Sequence, residues 1–157
     1  MLLSPAREER ALRVDTMGEL NLKPESLLGS SAAIRVLIAE DFPAFRQFVC
    51  STLTKRPDLQ VIGEVSDGLE AVQKAVELKP DLILLDVGLP TMNGIEAARR
   101  IRALVPESKI IFLSQETSGE VMEEALSTGA RGYVVKAKAG SQLLAAIGAA
   151  MSDAVLQ

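Results

Sequence analysis

From Ile34 onward, short apolar runs rich in β-branched residues alternate with longer stretches whose apolar positions recur every three or four residues, and few folds accept that alternation. Five runs have the length and composition of strands: Ile34 to Ala39, Leu59 to Val65, Asp81 to Leu85, Lys109 to Leu113 and Gly132 to Val135. The stretches between them carry Phe45/Phe48/Val49/Leu53, Leu69/Val72/Val76, Ile95/Ala98/Ile101/Val105, Val121/Ala125/Leu126 and Leu143/Leu144/Ile147/Met151. Each predicts a helix whose apolar stripe faces a sheet. Turn signals such as Arg56-Pro57-Asp58, Asp67-Gly68, Lys79-Pro80-Asp81 and Gly129-Ala130 separate the elements. Five successive βα units with nearly continuous apolar strands predict an α/β fold, a doubly wound five-stranded parallel sheet covered on both faces.

The apolar density rises sharply at Ile34, after Pro5, Pro24 and the small-residue stretch Gly29-Ser30-Ser31-Ala32-Ala33. The expected organisation is an N-terminal extension at 1–33, one domain at 34–152 and a tail at 153–157. Within the extension, Arg7 to Leu20 has the pattern of a short amphipathic helix, and Met17 is an alternative translation start. Met1-Leu2-Leu3 runs at once into Ser4-Pro5 and the charged Arg7 to Arg10, without the apolar stretch of a signal peptide or membrane helix. A cytoplasmic address without membrane contact is expected. The net charge of −4 and the lack of a Lys/Arg-rich run argue against direct nucleic-acid binding.

In sheets of this kind ligands collect outside the carboxyl ends of the strands. Those ends carry Glu40-Asp41 after the first strand, Asp86 after the third, Ser114 after the fourth and Lys136 after the fifth. The second ends in Val65-Ser66 and adds nothing comparable. The chain contains no histidine, which removes Ser-His and Cys-His nucleophile pairs, His-ligated metals and any phosphohistidine of its own. Cys50 is the lone cysteine and reads as a buried helical thiol.

Two carboxylates about 4 Å apart repel by roughly 4 kcal/mol at an effective dielectric near 20, so three acids in one cleft call for a cation. Oxygen ligands without imidazole or thiolate favour Mg²⁺, with Mn²⁺ as substitute. Such an ion, the Lys136 ammonium and the Ser114 hydroxyl together suit a phosphoryl group. Asp86 is the best nucleophile, because it ends the central strand and is followed by the extended Val87-Gly88-Leu89-Pro90. Its product would be an acyl phosphate, labile enough for a reversible signal. Asp41 taken alone has a second reading, as the cap of a helix starting near Pro43.

Asp86 with Pro90 and Gly94 at +4 and +8, the pair Glu40-Asp41, Ser114, and Gly132-Tyr133-Val134-Val135-Lys136 together resemble the receiver domain of two-component response regulators, over about Ile34 to Met151. Asp81-Leu-Ile-Leu-Leu-Asp86, Leu89-Pro-Thr-Met-Asn-Gly94 and Gly129-Ala-Arg-Gly-Tyr133 are most similar to the subfamily that usually carries a LuxR-type helix-turn-helix. The resemblance implies a flavodoxin-like strand order 2-1-3-4-5 and Asp86 as phosphoacceptor. It also implies Mg²⁺ held by Asp41, Asp86 and the Gly88 carbonyl, with Glu40 acting through water. Ser114 and Lys136 would contact the phosphoryl group, and Tyr133 would swing inward when Ser114 moves. The donor would be a histidine kinase or phosphotransfer protein, and the chain a signalling phosphoacceptor rather than an enzyme.

Two positions depart from the commonest family pattern: Gln115 stands where a small residue is usual, narrowing the approach to the site, and Ala137 where proline is frequent. Gly88 and Glu116 occupy positions that tune dephosphorylation in the family. A dinucleotide-binding reading fails because Glu40-Asp41-Phe42-Pro43 stands where a glycine-rich turn belongs. An aspartyl-nucleophile phosphatase would want a second acid where Gly88 stands. The remaining alternatives are the N-terminal fragment of a DNA-binding transcription regulator and a receiver-like interaction module that works unphosphorylated. The last helix, Ser141 to about Ser152, has wide apolar coverage that suits a homodimer contact or passage to an effector.

Overall fold

The computed structural model describes residues 32–152; the extension other than its last two residues, with the helix expected at Arg7 to Leu20, and the tail at 153–157 lie outside the described residues. Five βα units follow one another: β1 (Ile34–Ala39), α1 (Pro43–Leu53), β2 (Leu59–Val65), α2 (Gly68–Leu78), β3 (Leu82–Asp86), α3 (Gly94–Leu104), β4 (Lys109–Ser114), α4 (Gly119–Leu126), β5 (Gly132–Val135) and α5 (Ala139–Met151). The strands form one parallel sheet in the order β2-β1-β3-β4-β5, as the resemblance implied. Among the described residues no helix is long and apolar enough to cross a membrane.

Period-two alternation divides the core between the two faces of the sheet. Leu37, Ile83, Leu85, Ile110 and Phe112 face α2, α3 and α4. Val36, Ile38, Leu82, Leu84, Ile111, Leu113 and Val134 face α1 and α5. All five residues of β3 are buried, as expected of a central parallel strand. Continued past the last apolar residue of each strand, the same alternation sends Glu40, Asp86 and Lys136 to the α1/α5 side. Ser114 follows Ile110 and Phe112 to the other side, where Tyr133 also packs.

Three sequence expectations shift. The third strand runs from Leu82 through Asp86 rather than from Asp81 to Leu85. Asp81 stands at its edge, where its N–H donates to the Arg35 carbonyl at 2.9 Å, its carbonyl accepts the Lys109 N–H at 3.0 Å and its carboxylate accepts the Arg35 N–H at 2.8 Å. The last helix starts at Ala139, following a 3₁₀ turn over Lys136–Lys138, rather than at Ser141. Cys50 is half-buried, not fully enclosed, and burial and the nearby Glu64 push its thiol up from the ordinary value.

The helical stripes also differ from expectation. Leu69, Val76, Phe48 and Leu126 remain about two-fifths exposed, and α2 packs instead through Gly68, Ala71, Val72 and Ala75. Small side chains let that helix sit close to its neighbours, so the large apolar residues fall at the margin of the contact.

Candidate functional site

The carboxyl ends of β1, β3, β4 and β5 open on a cleft of about 620 Å³, lined among others by Asp41, Asp86, Gly88, Ser114, Gln115 and Lys136. Glu40 borders it from beneath, wholly buried, and Asp86 is 4% exposed. The ladder carries these groups in: the Glu40 N–H continues β1 by donating to the Val65 carbonyl at 3.0 Å. The Val87 N–H donates to the Leu113 carbonyl at 2.9 Å and keeps the residue after Asp86 in register with β4.

Lys136 spans 96 residues to reach Glu40 and lies between the acids. Its Nζ is 2.9 Å from Glu40 Oε1, 3.1 Å from Oε2 and 3.3 Å from Asp86 Oδ2. Only the contact with Glu40 Oε2 has hydrogen-bond geometry; buried Oε1 is left without a hydrogen-bond partner despite its close ion pair. Glu40 Oε2 also accepts the Phe42 N–H at 3.0 Å. Asp86 Oδ1 accepts the Gly88 N–H at 3.0 Å.

Burial pushes the Asp86 carboxyl up to about 6 from an ordinary 3.8, and the Glu40 charge adds to the push. The Gly88 N–H and the Lys136 ammonium act in the opposite direction. One lysine therefore leaves the pocket short of positive charge. Glu40, Asp41 and Asp86 each offer one oxygen, and these oxygens lie within 4.8 Å of one another. The oxygen-only donor set, the orphaned Glu40 Oε1 and the solvent-facing Asp41 fit a hard divalent cation such as Mg²⁺ or Mn²⁺.

Asp41 is not a helix cap: the N-cap of α1 is Phe42, with Pro43 at the first turn and no side-chain bond to the helix. That leaves its carboxylate free of a local structural duty, facing the cleft. Across the cleft, Ser114 Oγ accepts the Glu116 N–H at 2.9 Å, and the Tyr133 hydroxyl donates to the Glu116 carbonyl at 3.0 Å. Residue 116 thereby joins the serine to the tyrosine. Gln115 is exposed on the cleft rim, beside the approach it was expected to narrow.

The structure thus brings Glu40, Asp41, Asp86, Gly88, Ser114 and Lys136 into one cleft, with Tyr133 behind it. Sequence reasoning passed over the site contacts of two residues of α1, of which Phe45 was read only as part of an apolar stripe. The Arg46 guanidinium donates to the Glu40 carbonyl at 2.7 Å and lies 3.3 Å from Glu64. The Phe45 ring lies under Lys136 Nζ, 4.9 Å from its centroid. Neither has a local pattern to give it away: both read as ordinary helix residues, and their partners are far along the chain.

The Response regulator receiver domain family matches residues 36–148. The chain is 38% identical over 117 residues to the transcriptional regulatory protein LiaR of Bacillus subtilis, covering 74% of this chain and 56% of that protein. It is 36% identical over 113 residues to the chemotaxis protein CheY of Thermotoga maritima, covering 72% of this chain and 93% of that protein. A solved two-component response regulator of the LuxR family from Aurantimonas sp. SI85-9A1 superposes with a TM-score of 0.71 at 30% identity, over 75% of this chain and 84% of that chain. The chain spans only about a third to a half of the length of several longer curated relatives.

Proposed function

The chain belongs to the response regulator receiver domain family, and on that premise we propose that Asp86 accepts a phosphoryl group from a partner histidine kinase or phosphotransfer protein. The single observation carrying this reading is the packing of three carboxylates, one ammonium and one hydroxyl at the ends of four strands, with Asp86 at the centre. Phosphoryl transfer needs such positioning and charge stabilisation more than it needs acid–base chemistry.

Asp41, Asp86 and the Gly88 carbonyl would hold Mg²⁺, with Glu40 acting through water. When bound, that ion supplies the positive charge that lets Asp86 stay ionised and that offsets charge on the phosphoryl oxygens. An Asp86 Oδ attacks phosphorus while the bond from phosphorus to the donor imidazole nitrogen breaks, giving an aspartyl phosphate and a free donor histidine. The 157 residues contain no histidine, so none of them is the donor. Lys136, already 3.3 Å from Asp86, and the Ser114 hydroxyl are the groups that meet the new oxygens.

Drawing Ser114 toward that group pulls on residue 116 through its N–H and loosens the Tyr133 hydroxyl from the Glu116 carbonyl. Tyr133 then turns inward, and the surface of α4, β5 and α5 changes. The consequence is a signalling change of surface rather than turnover of a substrate, passed to a second copy, a partner or an effector half.

Incubation of the intact protein with Mg²⁺ and acetyl phosphate is expected to add one phosphoryl mass, which EDTA prevents and hydroxylamine removes. Peptide mapping should place the acyl phosphate on Asp86. Absence of any Mg²⁺-dependent mass gain would leave the unphosphorylated interaction module as the surviving reading.

A further inference from the structure

Besides its two carboxylate partners, Lys136 meets an aromatic ring. The Phe45 ring lies under Nζ with its centroid 4.9 Å away, on the first turn of α1. Phe48, one turn on, stacks against it with ring centroids 5.7 Å apart and planes tilted by 30°. The edge of Phe48 is in turn close to Gly140 at the start of α5, where an added Cβ would meet Phe48 Cζ at 3.7 Å. Phe48 thus braces Phe45, which also lines a second hollow with Phe42, Gln115, Val135, Lys136 and Ala137.

Phe45 is half-buried at the margin of the α1/α5 core, where a leucine would also fill apolar space, and only an aromatic ring adds a face for the cation. The Lys136 side chain is 13% exposed, so its ammonium has little water and takes its stabilisation from Glu40, Asp86 and the ring. A ring face attracts a cation more strongly when water is excluded. The carboxylates and the ring together surround the ammonium, at 2.9 to 3.3 Å and 4.9 Å respectively.

We propose, resting on the phosphoacceptor reading above, that Phe45 is a positioning residue: its ring face fixes the Lys136 ammonium at the Asp86 pocket, where the phosphoryl oxygens arrive. Phe45 touches no reacting atom and acts through Lys136. Without the ring, Nζ settles on buried Glu40, which already accepts its hydrogen bond through Oε2 and lies 2.9 Å away at Oε1. Phosphoryl transfer then has to draw the lysine out of that pair.

The test compares Phe45→Leu, which keeps apolar bulk without a ring face, with Phe45→Tyr, which restores the face, using acetyl phosphate with Mg²⁺. Phe45→Leu is expected to slow Asp86 phosphorylation at saturating acetyl phosphate about three- to tenfold, with Phe45→Tyr close to the parent. In a Lys136→Ala background the Phe45→Leu change should have no further effect, since the coupling runs through that pair. A ring-current shift of the Lys136 ε-methylene resonances, present in the parent and Phe45→Tyr and lost in Phe45→Leu, reads the placement without any phosphorylation. An equal slowing by Phe45→Leu with and without Lys136, or a normal rate once the ring-current shift is gone, overturns the proposal. A parent protein that takes up no phosphoryl group overturns the phosphoacceptor reading itself, and shows separately from either result.

Discussion

Asp86→Asn is expected to abolish phosphoryl incorporation and, in the same variant, to make the metal-free protein more stable at pH 7.5. The two effects share one cause. Asp86 is a nearly enclosed carboxyl raised to about 6, so near neutral pH the folded state carries a charge that the unfolded chain would hold at less cost. Below about pH 4 the group is protonated in both states and imposes no penalty. Between about 4 and 6 the folded state binds the proton that the unfolded state has released, so the stability contributed by this group falls as pH rises through that window and is lost above it. The shift from 3.8 to about 6 corresponds to at most about 3 kcal/mol.

Asparagine removes the charge, while Glu40 keeps Lys136 paired. That shift is already net of the Lys136 attraction, and after discounting for solvent screening in the open cleft the gain is about 1–2 kcal/mol at pH 7.5, shrinking toward zero near pH 4. Urea unfolding in EDTA at several pH values measures it. Mg²⁺ should stabilise the parent more than the variant, because a cation bound to the folded state adds stability in proportion to its affinity there. Persistent Mg²⁺-dependent incorporation in Asp86→Asn would remove Asp86 from its role. A variant less stable than the parent at pH 7.5 would show that the pocket does not strain its central carboxylate.

That a site can work against the fold explains which parts of the molecule were readable from the amino-acid order. Strands such as Leu82 to Leu85 declare themselves because both of their faces are apolar. The ends were harder: Asp86 belongs to β3, but a buried acid has the composition of a strand stop. The polar site was legible because its residue types are improbable companions, three acids with a lysine and a serine, gathered at the ends of four apolar runs. Its face assignment was not, since it depends on strand parity that only the paired ladder establishes.

The helical stripes misled for another reason. Periodicity counts large apolar residues, so Leu69 and Val76 were weighted over Gly68, Ala71 and Ala75, whose small size is what admits close approach. The site contacts of Phe45, read only as part of a helical stripe, and of Arg46 were invisible because their partners, Lys136 and Glu64, meet them only through the tertiary fold. The extension at 1–33 contributes no described geometry beyond its last two residues, and its expected helix stands as a sequence reading alone.

Gly94→Ala is expected to be the most damaging small substitution at the site, costing about 2–4 kcal/mol and most of the phosphoryl incorporation. Gly94 opens α3 and donates its N–H to the Val87 carbonyl at 2.8 Å. A Cβ there would overlap the carbonyl oxygen of Asp86 and crowd its carbonyl carbon and the Val87 Cα, both at 2.9 Å. These are backbone atoms at the end of a central strand, so no side chain can swing aside to relieve the clash. Either α3 moves off the sheet or Asp86 moves out of the pocket. The loop between them has no slack: the Pro90 carbonyl accepts the Met92 N–H at 2.7 Å and the Gly68 N–H at 3.2 Å, and Thr91 holds a left-handed φ of 69°. The glycine eight residues after the nucleophile is therefore a steric requirement of Asp86's own placement. Gly148→Ala provides the contrast, because Gly148 lies within α5 and an added Cβ meets nothing within 4 Å. That variant should gain up to about 1 kcal/mol from helix propensity and phosphorylate normally. Thermal unfolding followed by circular dichroism, with incorporation measured on the same samples, separates the two. A Gly94→Ala protein that melts and phosphorylates like the parent would show that helix α3 does not press on the backbone of Asp86.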